Sequence, residues 1–287
     1  MKTNKLFILT LLVVFYSCTN RDEPEINPEG RIVMTFEIPE TFPYITISMA
    51  GFGPVIIDWG DGTVETHHLI EEWNFADNRL VHRYTHTFAG TIIVRGDGIT
   101  HFICRGGRNL TSAEINSNTL VRLDLSINRL TSLNISNAPN LIYLNCSYNR
   151  LTSLDVSNAP NLMHLSCKSN QLTNLDVRHN TKLISLSCFG NQLTSLDVSK
   201  NVALELLNGS GNQLTSLDLS NNVSLWHIWM QENNLTAEAL NALFDTLHDN
   251  VIEGRNKWIM IGRNPGATWE LDGKIINGWL VSSFPPD

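Results

Sequence analysis

The sequence is short of charged side chains, and of basic ones in particular. Only 17% of its 287 residues are Asp, Glu, Lys or Arg, below the roughly 25% of an average globular protein. Acidic residues outnumber Lys and Arg by 28 to 20, which gives a formal net charge of −8. A partner with a phosphate backbone needs clustered Lys and Arg to displace its counterions. Because no such cluster is present, we exclude nucleic-acid binding.

The sequence also lacks the motifs of common catalytic and cofactor sites. It has no G-x-S-x-G nucleophile motif, no H-E-x-x-H metal motif, no phosphate-binding loop and no dinucleotide fingerprint. Its cysteines form no C-x-x-C pair, which argues against a zinc site. Four Asp residues recur as a regular column, which is typical of a structural feature rather than of a glycosidase pair: Asp155, Asp176, Asp197 and Asp218. We therefore predict a protein that is not an enzyme and has no cofactor or resident metal.

Only one long apolar run is present, from Leu6 to Tyr16, and Lys2 and Lys5 precede it. Eleven helical residues span about 16 Å, roughly half of a bilayer core. The run therefore predicts a secretion signal over residues 1–17 rather than a membrane-spanning helix. It ends in Ser17-Cys18, a junction that resembles the lipobox of bacterial lipoproteins.

The lipobox resemblance implies cleavage before Cys18, lipidation of its thiol and a polar tether over residues 18–30. We then expect an exported protein that is lipid-anchored in the outer membrane, exposed at the cell surface, and in contact with the membrane only through the anchor. An ordinary signal peptide in which Cys18 is incidental is the alternative.

A repeat with a period of 21 residues occupies the second half of the chain. Six asparagines mark it, each closing a frame L-x-x-L-x-(L/C/G/M)-x-x-N: Asn128, Asn149, Asn170, Asn191, Asn212 and Asn233. An asparagine amide both donates and accepts hydrogen bonds. We therefore predict that these six residues, the asparagine ladder, satisfy backbone groups where the chain leaves each strand.

This frame resembles the leucine-rich repeat, which implies a solenoid whose short strands form one parallel sheet. A single repeat leaves two apolar faces open, so the stack needs a cap at each end. We place the solenoid at residues 99–235, with an irregular first repeat, and a helical cap at residues 236–287 with Thr236 as its N-cap. Cys146, Cys167 and Cys188 fall at an inward position of the frame and are expected to be buried free thiols.

Residues 31–98 read as short β-rich runs separated by Pro and Gly, which predicts a small β-sandwich. Ile57 to Thr63, followed by His82-Arg83-Tyr84 or His86-Thr87-Phe88, resembles a polycystic kidney disease (PKD) type domain. Asp58 and Asp61 are interpreted as turn residues rather than calcium ligands. His82, Tyr84 and His86 share one face of a predicted strand, and a zinc site there, completed by His67, His68 or His101, is a subordinate alternative. The predicted fold class is thus mostly β (α+β): a PKD-like sandwich, a leucine-rich repeat solenoid and a helical C-terminal cap.

The leucine-rich repeat resemblance implies that a partner binds the exposed residues of the parallel sheet, on the concave face of the array. Most of these positions are Ser or Asn, and larger side chains interrupt them at Tyr143, His164, Lys168, Phe189, His227 and Trp229. Aromatic rings on such a surface are typical of recognition. We predict non-catalytic binding of a protein or peptide, with glycan binding or a structural spacer as alternatives. Whether Trp226 and Trp229 instead cover the junction with the cap stays open.

Overall fold

The computed structural model describes residues 30–37, 45–69, 82–83, 90–107 and 109–283, with the backbone alone at 82–83. The predicted signal peptide, Cys18 and nearly all of the tether lie outside these residues, as do Tyr84 and His86. Within the described residues, no helix has the length and apolar character needed to cross a bilayer.

The N-terminal strands divide between two sheets. Alternation of buried and exposed residues explains their formation: in the first strand Ile32, Met34 and Phe36 are buried between more exposed neighbours. One sheet contains β1, β3, β4, β6 and β8, and the other contains β2, β5 and β7. The strands are β1 (Arg31–Phe36), β2 (Thr46–Gly51), β3 (Gly53–Asp58), β4 (Val64–Leu69), β5 (His82–Arg83), β6 (Gly90–Arg95), β7 (Ile99–Ile103) and β8 (Leu110–Asn116).

Asp58 and Asp61 stabilise the turn between β3 and β4. The Asp58 carboxylate accepts a hydrogen bond from the Gly60 N–H at 3.0 Å, and Asp61 accepts one from the Thr63 N–H at 2.8 Å. Each carboxylate therefore closes a local turn two residues ahead of itself, as Asp side chains do in turns.

The repeats continue both N-terminal sheets. The strands of the repeat region are β9 (Arg122–Asp124), β10 (Ser132–Asn137), β11 (Tyr143–Asn145), β12 (His164–Ser166), β13 (Ser185–Ser187), β14 (Leu206–Asn208) and β15 (His227–Trp229). β7 pairs in parallel with β9, and β8 pairs in parallel with β10. Buried residues from both parts form one continuous core. The predicted division at residues 98 and 99 stays a prediction, and both sheets run across it.

The repeats form the predicted mostly β solenoid. β9 and β11 to β15 pair side by side in parallel, each in register with the strand 21 residues further on. Their central residues, such as Leu144 and Leu165, are buried. These strands have three residues each, and hydrogen bonds between rungs continue past them, for example from the Cys146 N–H to the Ser166 carbonyl at 2.9 Å.

The asparagine ladder joins each rung of the solenoid to the one before it. Asn170 is representative: its amide nitrogen donates to the carbonyls of Cys146 at 3.1 Å and Cys167 at 3.0 Å. Its amide oxygen accepts the Leu151 N–H at 3.0 Å. Asn264, which lies outside the 21-residue frame, repeats this pattern on the carbonyls of Met230 and Ile261.

A second column of asparagines, which the sequence analysis did not name, lies on the other side of the rungs. Asn180, Asn201 and Asn222 are fully buried. The amide nitrogen of Asn180 donates to the carbonyls of Val156 at 2.9 Å and Ala159 at 2.8 Å, and the other two repeat these bonds one and two rungs later. Because these three residues are also spaced 21 apart, the repeat period in the sequence was sufficient to find this column.

The cysteines of the repeats are buried free thiols. The Cys146 and Cys167 thiols donate weakly to the carbonyls of Ser166 and Ser187, one rung ahead, at 3.7 Å. Burial raises the pKa of Cys146 and of Cys188 to about 12. These thiols are therefore protonated at neutral pH and serve as core residues.

The C-terminal residues extend the sheet and add one α-helix. Thr236 is the N-cap of α1 (Ala237–Asp245), since its hydroxyl accepts the Ala239 N–H at 3.3 Å. After α1 come β16 (Lys257–Met260), a 3-10 turn (Trp269–Leu271), β17 (Ile275–Ile276) and β18 (Trp279–Ser282). β16 pairs with β15, and β18 pairs with β16. The Leu219 N–H donates to the Thr246 hydroxyl at the end of α1, so the end of the helix contacts the Asn212 repeat.

Candidate binding face

The outward side of the parallel sheet is formed by the first and third residues of each short strand. In β11, β13, β14 and β15 the central residue is buried and its two neighbours are half-buried. The residue two places after each strand continues this surface: Lys168, Phe189 and Gln231 are half-buried there, whereas the serines of the same column, Ser126, Ser147 and Ser210, are buried. We call the surface that these positions form along the six repeats the sheet face.

Tyr143 and His164 lie side by side at the N-terminal end of the sheet face. Their residues pair across β11 and β12, and their ring centroids are 6.3 Å apart. The guanidinium of Arg122 lies over the Tyr143 ring at 3.6 Å from its centroid, a favourable cation–π geometry. Arg122 is a residue of the sheet face that the repeat pattern alone did not single out.

His227 is the centre of an aromatic cluster at the other end. Its ring centroid is 4.3 Å from that of Trp226, 4.8 Å from Trp229 and 6.2 Å from Trp258. Burial lowers the pKa of His227, so its imidazole is neutral at pH 7. Trp258 was missed as a face residue. Trp258 pairs with His227 across β16 and β15. Aligning the segment around Trp258 with the strand of the last repeat would have predicted its place on the sheet face.

The two tryptophans that the sequence left open differ in their surroundings. The Arg255 guanidinium lies 4.6 Å from the Trp226 ring centroid, and the Trp226 indole N–H donates to Glu205. Trp226 is therefore held by residues on both sides of the junction with the C-terminal part. Trp229 instead lines an open cleft on the sheet face.

This cleft lies between Phe189 and Trp229 and has a volume of about 280 Å³. The intervening rung contributes only the small polar side chains of Asn208 and Ser210 to its lining. The Ser210 hydroxyl donates to Gln231 at 2.7 Å. The cleft is lined by Phe189, Asn208, Ser210, Trp229, Gln231, Glu232, Gly262 and Arg263. It therefore combines two aromatic sides with a hydroxyl and amide floor.

Acidic groups beside the sheet face are paired. Glu205 forms an ion pair with Arg255, and Glu232 forms one with Arg263. Asp124 is buried and accepts hydrogen bonds from the N–H and the hydroxyl of Ser126. Lys168 forms no ion pair with any described residue. The face is thus aromatic and hydroxylated, with unpaired positive charge toward its N-terminal half.

No protein-family model and no curated protein matches the chain significantly. Its neighbours among solved structures are bacterial leucine-rich repeat proteins. It is similar to the functional domain of InlJ from Listeria monocytogenes, with 24% identity, a TM-score of 0.34, and coverage of 64% of this chain and 54% of that one. The InlJ structure is described as including a cysteine ladder.

Two further neighbours are of the same kind. A leucine-rich repeat protein of Leptospira interrogans has 27% identity and a TM-score of 0.43, and the match covers 52% of this chain and 44% of that one. Internalin InlF of Listeria monocytogenes has 21% identity and a TM-score of 0.47, with 57% and 48% covered. The chain spans about half the length of these solved structures.

On the sheet face, the predicted binding residues form two groups. Tyr143 and His164 belong to the cation–aromatic end, whereas His227 and Trp229 belong to the tryptophan cluster. Phe189 joins the second group through the cleft that it shares with Trp229. Lys168, which precedes Phe189 by one repeat in the same column, lies between the two groups. Their role in binding stays a prediction.

Proposed function

We propose that this chain is a non-catalytic cell-envelope protein that binds a protein or peptide through the sheet face. The cleft between Phe189 and Trp229 is the observation that carries the proposal. Rings held on paired strands offer a large contact area at a small cost in conformational entropy. The floor of Ser210 and Gln231 supplies polar groups that orient a bound side chain.

The dimensions of the sheet face favour an extended partner. Strands about 4.8 Å apart give six repeats a length of roughly 24 Å, which matches about seven residues of extended peptide. The backbone groups of the parallel strands are already paired with neighbouring strands, for example between β12 and β13. Recognition therefore comes from side chains, with one partner side chain entering the cleft.

A random peptide library displayed on phage tests this function. We expect the folded chain to enrich peptides whose binding falls at least tenfold when Phe189→Ala and Trp229→Ala are combined. The control replaces Val202 and Val223 by Ala, since these side chains are 53% and 46% exposed outside the sheet face. Enriched peptides that bind the Phe189/Trp229 variant and wild type equally well would contradict the proposal.

Glycan binding is the second candidate, because aromatic rings beside hydroxyl and amide groups also suit sugars. The same two variants on a glycan array separate the candidates. Glycan binding that depends on Phe189 and Trp229, without peptide binding, would favour a glycan receptor. Absence of both would favour a spacer without a specific ligand.

The envelope location is supported by the sequence of residues 1–30, with the signal, Cys18 and the polar tether. In this proposal the N-terminal strands are a PKD-like spacer, and residues 236–287 close the last repeat as a cap. Metabolic labelling with an alkyne fatty acid in a bacterial host tests the anchor. We expect Cys18→Ser to abolish the label, and a label retained in that variant would contradict lipidation at Cys18.

A further inference from the structure

The residue before each asparagine of the ladder has a left-handed backbone. This column contains Ile127, Tyr148, Ser169, Gly190, Gly211 and Glu232, with φ between 49° and 67°. Glycine adopts this conformation without steric cost. A β-branched or bulky residue there is uncommon, because its Cβ crowds the backbone. Ile127 and Tyr148 are therefore the two unexpected members of the column.

Neither side chain is part of the core. Ile127 is 40% exposed and Tyr148 is 54% exposed. Two later rungs carry glycine at this position, so the fold accepts the residue that removes the strain. Two large apolar side chains in a strained conformation at the surface are thus not explained by folding, and such outliers are a reason to look for function.

Two unpaired guanidiniums lie beside them. Arg129 and Arg150 each follow the left-handed residue by two positions, and neither forms an ion pair with a described residue. The next three rungs carry glutamine at this position, at 171, 192 and 213. The turns Ser-Ile-Asn-Arg (126–129) and Ser-Tyr-Asn-Arg (147–150) contain no acidic residue. Positive charge is therefore concentrated here in a chain of net charge −8.

These side chains line one open cleft of about 480 Å³ between the two rungs, together with Asn128 and Asn149. The backbone at this edge is already paired: the Ile127 N–H donates to the Ser147 carbonyl at 2.9 Å, and the Tyr148 N–H donates to the Lys168 carbonyl at 2.7 Å. A ligand is therefore held by side chains rather than by strand addition. The volume is that of a small-molecule site.

We infer that Ile127, Arg129, Tyr148 and Arg150 form a second binding site, separate from the sheet face, for a saccharide that carries a sulfate or phosphate ester. The sugar ring lies on the exposed Tyr148 ring. Adjacent rungs are about 4.8 Å apart, so both guanidiniums reach one tetrahedral group, whose three terminal oxygens accept from different directions. Arginine is well suited to such groups because its donors are fixed in a planar fork.

Calorimetric titration of the full chain with four small probes tests this inference. We expect N-acetylglucosamine 6-sulfate or 6-phosphate to bind at least tenfold more tightly than N-acetylglucosamine and than inorganic sulfate. The preference between the two esters shows whether the site is selective for a sulfate or for a phosphate group. Equal binding of the uncharged sugar, equal binding of inorganic sulfate, tighter binding of a Glu-rich hexapeptide, or no binding of either ester would overturn the inference.

Variants taken from the other rungs separate function from folding. Arg129→Gln with Arg150→Gln introduces the residue that three later rungs carry, and we expect ester binding to fall at least tenfold with an unchanged melting temperature. Tyr148→Gly introduces the glycine of two later rungs, and we expect weaker binding with an equal or higher melting temperature. A melting temperature lowered by Tyr148→Gly would show that the ring is structural.

The controls use residues outside this cleft. Ser169→Gly changes the same left-handed column one rung later, and Lys200→Gln removes an exposed charge elsewhere. Both are expected to leave ester binding unchanged. The Phe189→Ala and Trp229→Ala pair should also leave it unchanged, which distinguishes this site from the sheet face. Retained binding in the double Arg variant would overturn the inference.

Discussion

Asn170 shows how much of this fold depends on one amide. It is buried, its amide nitrogen donates to three carbonyls, and its amide oxygen accepts one N–H, all within its own rung and the rung before it. Because these groups lie where the chain bends away from the sheet, no other backbone group is positioned to pair with them. The same side chain thus satisfies the turn and connects consecutive repeats.

We expect Asn170→Leu to lower the free energy of unfolding by about 2–4 kcal/mol, although it adds apolar area, because the buried Leu151 N–H loses its acceptor and the Cys146 and Cys167 carbonyls each lose one of two asparagine donors. Urea denaturation measures the effect. Asn241→Leu, at an exposed position of α1, is the matched control and should change stability little. An unchanged urea midpoint for the Asn170 variant would show that water or backbone shifts satisfy these groups.

His248 couples stability to pH. One ring nitrogen, Nε2, lies 2.8 Å from the Leu225 carbonyl, and Nδ1 is buried without a hydrogen-bond partner among the described residues. Burial, with a contribution from the Lys257 ammonium, lowers the pKa of His248. The unfolded chain therefore binds a proton more readily, and stability falls as the pH drops below about 6.5.

Melting temperatures at pH 7.5 and 5.5 test this dependence. We expect His248→Gln, whose amide can still donate to the Leu225 carbonyl, to lose less stability on acidification than wild type. Replacement of the exposed His179 by Gln is the control. Equal losses in wild type and in the His248 variant would assign the dependence to other groups, such as His101 and His227, whose pKa values burial also lowers.

At the scale of elements, the solenoid strands and α1 are too short to be stable alone. Capping of their ends and packing against neighbouring elements stabilise them. β9 and β11 to β15 have three residues each, and α1 has nine, less than an isolated helix needs in water. α1 buries Leu240, Leu243 and Phe244, and its first turn relies on the Thr236 hydroxyl.

We expect Thr236→Ala to destabilise the chain by about 1 kcal/mol, because the first turn of α1 loses its side-chain cap. Thr236→Asp should restore most of this loss, since a carboxylate also accepts the N–H groups of the first turn. Thr268→Ala is the control, since Thr268 precedes the 3-10 turn without a side-chain cap hydrogen bond. Equal effects of the two alanine variants in chemical denaturation would contradict a specific capping role.

At the scale of the whole molecule, the two N-terminal sheets and the solenoid share strands and one core. Solenoid rungs otherwise contact only their neighbours, so a disturbance at one end decays along the stack. Here β7 and β8 join the N-terminal core directly to the Asn128 repeat, because they pair with β9 and β10 of that repeat.

We therefore expect a single cooperative unfolding transition. Met34→Ala in β1 leaves a cavity in a fully buried site and should cost about 2–5 kcal/mol. Urea unfolding followed by far-UV circular dichroism and by tryptophan fluorescence should shift equally. Leu186→Ala, in the middle of the solenoid, is the reciprocal variant. Two separate transitions, of which Met34→Ala moves only one, would show that the parts fold independently.

The periodic features were predictable from the sequence. The asparagine ladder, the buried thiols and the parallel strands all repeat every 21 residues, so the sequence shows the residue type at each position of the repeat several times. Asn264 was missed because its offset from Asn233 departs from that period. Arg122 and Trp258 were missed as partners of the sheet face because their roles depend on which ring lies beside them.

The sequence by itself thus determined the rung: which residues are buried, where the chain turns, and which amides serve the turn. These are local choices set by hydrogen-bonding capacity and apolar spacing. Only the tertiary structure decided how the N-terminal strands join the stack, since Arg31 of β1 pairs with Asn116 of β8. Such pairing depends on the shape and exposed edges of segments that are far apart in the chain. A repeat pattern in the sequence does not reveal it, because each of these pairings occurs only once. The two clefts arise in the same way, because their side chains meet only when separate rungs stack.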